Sequence, residues 1–357
     1  SQILQDVKSL SDFDNIMNAL YKQGFQEILK AEMTKHLGYE KHAPDGINTG
    51  NSRNGTYKKT VRTTQGAIEL DIPRDRNGEF VPLVIPKGQT TTEKIESVII
   101  SLYSKGMSTE DITVQLEEIY GLNVSKSFIS DITNKILPAI HEWQNRPLDD
   151  TYYLVWLDCL CFKVRQDNKI INKSIYVIIG LKTDGTKEIL GLWISVNESA
   201  AFWLSVLNEI KERGVHKILI ACTDNLAGFT QAIQTAFPKA TTQLCIVHQI
   251  RNSIKFVPWK DRKPFLEDLK AVYKALNLES ALVAFEIFKQ KWSTKYAYAI
   301  KSWEANWDNL TPMFQYTPGI RKIMYTTNTV EGVNRAIRKF TKTKSLFPND
   351  HAAIKSA

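Results

Sequence analysis

The sequence predicts an α/β protein built in modules: a mixed sheet core interrupted by an all-α block, with helical and hairpin modules ahead of it. Three observations carry this prediction. Residues 151–249 run as three β-rich segments followed by helix, strand, helix and strand; residues 250–325 keep helical periodicity; and residues 1–148 alternate helical stretches with one Gly- and Asn-rich hairpin signature. A chain of 357 residues with 43% hydrophobic composition is too long for one ordinary core and apolar enough for two or three.

Residues 1–45 form the N-terminal helical region, because Phe13, Ile16, Met17, Leu20, Phe25, Ile28, Leu29 and Met33 recur at helical spacing. That stripe suits either a core contact or a dimer contact. Residues 46–92 are the β-hairpin module. Its polar entry loop KHAPDGINTGNSRNGTYKK leads into the strand-like TVRTTQGAIELDIPR and the turn DRNG.

Residues 93–148 have the punctuation of a helix-turn-helix. Ser108 and Asp111 predict a capping box, Ile112, Leu116 and Ile119 face a core, Gly121 turns the chain and Ser125 caps the next helix. In that second helix Phe128, Ile129, Ile132 and Ile136 make the buried side. Lys126, Ser127, Ser130, Asn134 and Lys135 point outward, a short polar face of the kind that enters a DNA major groove. An ordinary helical hairpin carries the same pattern, and Asp131 on the outer side repels phosphate, so the pattern leaves both readings open. WQNRPLDD, ending at Asp150, is the linker.

TYYLVWLDCLCFKVR, INKSIYVIIGLKTDG and KEILGLWISVN are strands joined by short polar turns, which implies an antiparallel meander. A helix over 200–212, the strand HKILIACTD, a helix over about 226–236 and the strand TTQLCIVH complete the order of an RNase H-like core. The core's first part is therefore 151–249. The all-α insertion over 250–325 interrupts it, and 326–357 returns to it with a helix carrying Glu331.

Charge is unevenly spread. Residues 1–150 hold 17 Lys and Arg against 21 Asp and Glu, net −4, which leaves 29 against 17, net +12, for the rest of the +8 chain. A basic second half suits a polyanion partner, although plain solubility needs no more. No apolar run approaches the roughly 20 residues that cross a bilayer. SQILQDVKSLSDFD lacks the basic and apolar regions of a signal peptide, and the four cysteines lie in strand-like stretches without a spaced framework. These features predict a cytoplasmic protein without a membrane partner and without disulfides.

Three acids stand out for chemistry. Asp158 interrupts YYLVWLDCLCFKV, where an unpaired carboxylate is costly unless a cation or strong hydrogen bonds compensate. Asp224 ends a strand just before Asn225 and Gly228, and ligands bind beyond the carboxyl ends of strands in open α/β sheets, although turn and cap acids occupy the same place. Glu331 lies one turn into the helix that Thr327 or Asn328 caps; Asn328, Glu331 and Asn334 share its face, and Arg335, Arg338 and Lys339 follow. A solvated helix with an acid near its N-terminus has this form too. Phosphoryl transfer on DNA needs two divalent ions about 4 Å apart and no covalent nucleophile. Mg²⁺ or Mn²⁺, two per site, is held by hard carboxylate oxygens, and Asp158, Asp224 and Glu331 supply such a set of metal ligands. Cys245 and His248 form a lone C-x-x-H pair, too few ligands for structural zinc, and serve with Asn328 and Asn334 as pocket support. Asp184 belongs to a D-G hairpin turn. Trp259, Trp292, Trp303 and Trp307 in the insertion are core residues by default, with base stacking the alternative use of one of them.

The motifs NSRNGTYKKTVRTTQGAIELDIPRDRNGEF, LYSKGMSTEDITVQLEEIYG, YLVWLDCLCFKVR, ACTDNLAGFTQAI, QLCIVHQIRNS, KSWEANWDNLTPMF and YTTNTVEGVNRAIRK resemble, in order and over nearly the whole chain, those of bacterial Mutator-type insertion-sequence transposases. The resemblance implies an RNase H-like catalytic domain with Asp158, Asp224 and Glu331 as its DDE triad. It implies a DNA transposase that binds terminal inverted repeats and catalyses metal-dependent strand cleavage and strand transfer, acting as a homodimer on transposon-end and target double-stranded DNA at the bacterial nucleoid. The helix-turn-helix residues Lys126, Ser127, Ser130 and Asn134, with Arg335, Arg338 and Lys339, become the DNA-binding set. Further helical sequence is expected after SLFPNDHAAIKSA. An RNase H-like nuclease or resolvase, and a non-catalytic DNA-binding regulator, are the alternative functions.

Overall fold

The structure, a computed structural model, describes residues 9–47, 49–196, 199–224, 228–325, 328–344 and 346–357, with the side chains of 10–11, 328–330 and 340–343 outside the description. The chain divides into two compact units, Ser1–Lys135 and Ile136–Ala357.

In the first unit, helix α1 (Leu10–Leu37) starts where the Ser9 side chain accepts a hydrogen bond from the Asp12 amide and stops at Gly38, whose φ of 80° lets the chain leave the helix. Only part of its apolar stripe is used. Leu29 packs with Val61, Ile68, Leu70 and Ile72 of a hairpin made by β1 (Arg53–Thr63) and β2 (Gly66–Asp75), whereas Phe13, Met17, Leu20 and Ile28 stay exposed. The hairpin is longer than its composition signals. Residues 53–59, expected in the entry loop, form the first half of β1. A register irregularity between Arg53 and Thr56 absorbs Gly55, at φ 72°, and the ladder resumes at Thr56–Pro73.

β2 ends on Asp75, which is 3% exposed. Its carboxylate accepts hydrogen bonds from Asn51 Nδ2 at 2.7 Å and from the amides of Phe80 at 3.1 Å and Glu79 at 3.3 Å, and His36 Nε2 lies 3.4 Å away. Helices α2 (Glu93–Ser104), α3 (Thr109–Tyr120) and α4 (Lys126–Asn134) enclose Ile95, Ile99, Ile112, Leu116, Ile129 and Ile132. The Ser108–Asp111 capping box forms, and Ser125 caps α4. Ile119 corrects the expected stripe, because it is 59% exposed. After the turn at Gly121, Leu122 and Val124 join the cluster beside Leu116, and at the last turn of α3 it is Tyr120 that packs on this core.

The second unit begins with α5 (Leu137–Gln144) and a five-stranded sheet in the order β5-β4-β3-β6-β7. β3 (Thr151–Gln166), β4 (Lys169–Lys182) and β5 (Lys187–Ser195) are antiparallel; β6 (Lys217–Thr223) and β7 (Thr241–Leu244) run parallel to β3. Helices α6 (Ala200–Glu212) and α7 (Phe229–Ala236) supply Trp203 and Phe229 to one face, meeting Val155, Leu157, Tyr176 and Ile178. The opposite face, with Leu154, Trp156, Val177, Ile179 and Cys222, meets the helices that follow β7. Helical cover on both faces explains why SIYVIIG in β4 is apolar without alternation: successive side chains point to opposite faces and both are buried.

Those helices are α8 (Ile246–Ile254), α9 (Trp259–Tyr273), α10 (Leu278–Ala305), α11 (Trp307–Leu310), α12 (Pro318–Tyr325), α13 (Asn328–Thr343) and α14 (Asp350–Ser356). Buried Gln243 clamps β7 to them: its Nε2 donates to the Leu310 carbonyl at 2.9 Å and its Oε1 accepts from the Met313 amide at 2.8 Å. Trp303, 1% exposed, donates to Ser253 Oγ of α8 at 2.9 Å, and burying such a side chain contributes roughly 1.5–3 kcal/mol. Trp292 is also buried and Trp307 stacks on Phe285, but Trp259 departs from the core expectation at 84% exposed. Among the described residues no helix is long and apolar enough to cross a membrane.

Candidate active site

β3 is the longest strand of the sheet, and its parallel partner β6 accompanies it only as far as the pair Trp156–Cys222. Asp158 stands two residues beyond that pair, on the same face as Trp156, where the β6 side of the strand opens. Asp224 stands two residues beyond Cys222, so each acid lies two residues past the last β3–β6 pair, Asp158 within β3 and Asp224 just after β6. On β4, Val177 lies opposite Asp158. The surroundings are therefore apolar below and open above.

A cavity of about 30 Å³ lies there, lined by Asp158, Thr223, Cys245, His248, Glu331 and Asn334 together with Arg251 and apolar walls from Trp156 and Met324. A space of that size holds one or two water-sized groups. It gives onto a groove of about 710 Å³ that shares Asp158, His248, Arg251, Glu331 and Asn334 and continues along exposed Arg335, Arg338 and Lys339. Five elements meet at the cavity: β3, β6, α8, α12 and α13. The helix α13 packs directly on β3.

Within this cavity Asn334 Nδ2 donates to Asp158 Oδ2 at 2.6 Å, and the Cys159 amide donates to Asp158 Oδ1 at 2.8 Å. Arg251 donates to Glu331 Oε1 through its guanidinium. Asn334 is only 8% exposed, and its Oδ1 is a buried acceptor with no partner; His248 Nδ1 is likewise buried and unmatched. The Cys245 side chain beside His248 raises the imidazole pKa above its ordinary value, with Asp158 acting in the same direction and burial and Arg251 opposing. Burial pushes the Cys222 thiol well up, helped by Cys245.

Of the residues singled out in the sequence, the structure gathers Asp158, Cys245, His248, Glu331 and Asn334 at one point, with Arg335, Arg338 and Lys339 along the groove that leads from it. Asp224 is half-buried beside Thr223 but is not part of the cavity wall. Asn328 opens α13, and its side chain lies outside the described residues. Lys126, Ser127 and Asn134 are exposed on α4 in the other unit, and Ser130 is half-buried. Lys126 is bonded to Glu110 at 2.5 Å, which offsets part of the positive charge of that face. Arg251 escaped the sequence reading. The signal was available: Cys245, His248 and Arg251 follow one another at intervals of three, so α8 turns all three toward the same side.

The donor set suits a hard divalent cation. Two carboxylates and an orphaned amide oxygen converge in a cavity of ionic size, whereas thiol and imidazole come from a single turn of α8. Among the described residues no three His, Cys, Asp or Glu side chains are gathered at metal-binding separation. Arg251 supplies the positive charge that Glu331 faces.

The family described as Transposase, Mutator family, matches this chain over residues 1–357. The chain belongs to that family. This transposase is 44% identical to the probable transposase for insertion sequence element ISRM3-like of Sinorhizobium fredii (strain NBRC 101917 / NGR234), over 96% of this chain and 85% of that protein. It is 43% identical to the transposase for insertion sequence element ISRM3 of Rhizobium meliloti (strain 1021), with the same coverage of 96% and 85%. Identity to the IS905 transposase of Lactococcus lactis subsp. lactis (strain IL1403) is 34%, over 99% of this chain and 90% of that protein. The Drosophila P element transposase strand transfer complex aligns with 73% of this chain and 90% of that chain at a TM-score of 0.38 and 8% identity, a likeness too weak to specify a fold. The protein is a DNA transposase.

Proposed function

We propose that this transposase binds the terminal inverted repeats of its element, cleaves DNA strands at the β3–α13 cavity and joins them to target DNA, with Asp158, Asp224 and Glu331 as catalytic triad and metal ligands. The observation that carries the reading is the meeting of Asp158 and Glu331, from elements far apart in the chain, in one small cavity at the head of a basic groove. Strand order β5-β4-β3-β6-β7, with three antiparallel strands and two parallel ones, supports an RNase H-like core. The equal offsets of Asp158 and Asp224, each two residues past the last pair between β3 and β6, support Asp224 as the third acid.

Mg²⁺ or Mn²⁺, two ions per site, supplies activation of the attacking oxygen and stabilisation of the leaving oxygen when bound. Asn334 orients Asp158 through the 2.6 Å hydrogen bond and presents its free Oδ1 to the same cavity. Arg251 neutralises Glu331 and stands where a DNA phosphate enters. Arg335, Arg338 and Lys339 hold the phosphate backbone along the groove, and His248 and Cys245 close the wall behind the acids. In the first unit, Lys126, Ser127, Ser130 and Asn134 on α4 read the terminal repeat. The active species is a homodimer on paired ends, acting in the bacterial cytoplasm at the nucleoid; sedimentation of the full chain with end DNA should give two copies per pair of ends.

The decisive test uses labelled transposon-end DNA with Mg²⁺ or Mn²⁺. Wild type should cut and join, whereas Asp158→Asn, Asp224→Asn and Glu331→Gln should each lose roughly 10³-fold or more, the size of several kcal/mol of lost charge stabilisation, while still binding DNA. Cutting without joining would make the protein a nuclease or resolvase. Neither reaction, with DNA binding intact, would leave a non-catalytic regulator.

A further inference from the structure

Trp259, the first residue of α9, is 84% exposed. Its neighbours in the same helical block bury their indoles, and burial of this one forfeits nothing but contact with solvent, so its position calls for a partner. It stands at the edge of a groove of about 820 Å³ whose floor is apolar, from Ile250, Ile254, Leu266 and Tyr273. Around that floor stand Lys260, Arg262, Lys263 and Lys270, against a single acid, Glu267. Arg262 is tethered: its Nε donates to the Val257 carbonyl at 3.0 Å, which fixes the guanidinium 5.7 Å from the centre of the Trp259 ring.

An exposed indole beside one tethered arginine and three further cations has the chemistry of a single-strand binding platform, in which cations follow the sugar-phosphate backbone and the ring takes a base face. Four cations against one acid disfavour an acid-poor or basic peptide and favour a polyanion. The groove also lies close to the cutting site. Helix α8 contributes His248 and Arg251 to the candidate active site and Ile250 and Ile254 to this groove, and at 1.5 Å per residue these positions span only about 10 Å along the axis. We propose that Trp259 stacks on an unpaired DNA base while Lys260, Arg262, Lys263 and Lys270 hold the flanking phosphates, so that single-stranded DNA beside the cut site is retained by the insertion. The proposal rests on the DNA-processing reading above.

The test compares two probes with the full chain in the absence of divalent metal: a blunt transposon-end duplex, and the same duplex with a short single-stranded extension carrying 2-aminopurine. Wild type should prefer the extended probe and quench its 2-aminopurine. Trp259→Ala should lower affinity for the extended probe ~10-fold and abolish the quench, Trp259→Phe should keep most of both, and blunt-duplex affinity should be the same in all three. Retention of preference and quench by Trp259→Ala overturns the stacking platform and leaves the groove to a protein partner. Failure of wild type to bind either probe overturns the DNA reading itself and this proposal with it.

Discussion

Asp75 in the first unit and Asp158 in the second both lie on β-strands among apolar neighbours, and their surroundings treat them in opposite ways. Asp75 is almost wholly buried and accepts from Asn51 and two backbone amides, with His36 alongside. Burial alone would push its carboxyl up, but the hydrogen bonds from Asn51 and the Phe80 amide, then from His36 and the Glu79 amide, outweigh it and hold the pKa far below the ordinary 3.8. Asp158 is half-buried, accepts from Asn334 and the Cys159 amide, and shares its cavity with a buried amide oxygen and a buried imidazole nitrogen that have no partners. A polar cluster that serves the fold is saturated from within. One whose remaining atoms face a cavity in common is arranged for something that arrives from outside.

The sharpest way to break that contrast is Asp75→Ala. It strands Asn51 and the amides of Glu79 and Phe80, so the first unit should lose roughly 3 kcal/mol, read as faster amide exchange across residues 53–75. Loss below about 1 kcal/mol would show that Asp75 is not the saturated anchor described. Next comes Asn334→Ala. Strand cleavage should fall 10- to 100-fold, the usual effect of removing a group that orients a ligand, while stability changes by less than about 1 kcal/mol because an orphaned atom leaves too. A large stability loss with normal cleavage would reverse the assignment.

Titration sharpens the same comparison. The folded pKa of Asp75 is depressed, so its stabilisation is complete above the unfolded value of 3.8 and is lost as pH falls below it; Asp75→Asn should remove that acid-dependent slope from the first unit. The smallest effect belongs to Lys344, whose ammonium is held down to about 8 by burial, with Lys355 adding repulsion. Between about 8 and 10.5 the unfolded chain keeps a proton that the folded chain has released, so stability of the second unit should rise with pH across that window. Denaturant melts of wild type and Lys344→Met should show the rise in the first and its absence in the second.

Much of this was legible in the sequence because it is local. The capping box at Ser108 and Asp111, the Asp184 turn and the three-strand meander each depend on residues within a few positions of one another. Asp158 announced itself by standing in an apolar strand. What stayed hidden depends on distant neighbours. The exposure of Ile119 follows from what Leu122 and Val124 cover, the extension of β1 through Arg53–Lys59 follows from pairing with β2, and the pairing of Arg251 with Glu331 joins residues 80 apart in the chain. Trp259 was hidden for the same reason: the periodicity of α9 fixes its angle on the helix but says nothing about whether another element arrives to cover it.

The wall of the candidate active site that comes from α13 is synthesised about 170 residues after the strand that carries Asp158, with the whole helical block between them. At roughly 5–20 residues per second, a ribosome needs on the order of ten to thirty seconds to travel that distance. The sheet is complete once β7 ends at Leu244, so for the later part of that interval the strand bearing Asp158 stands without the helix bearing Glu331. The cavity lined by Asp158 and Glu331 therefore exists only once α13 has left the ribosome.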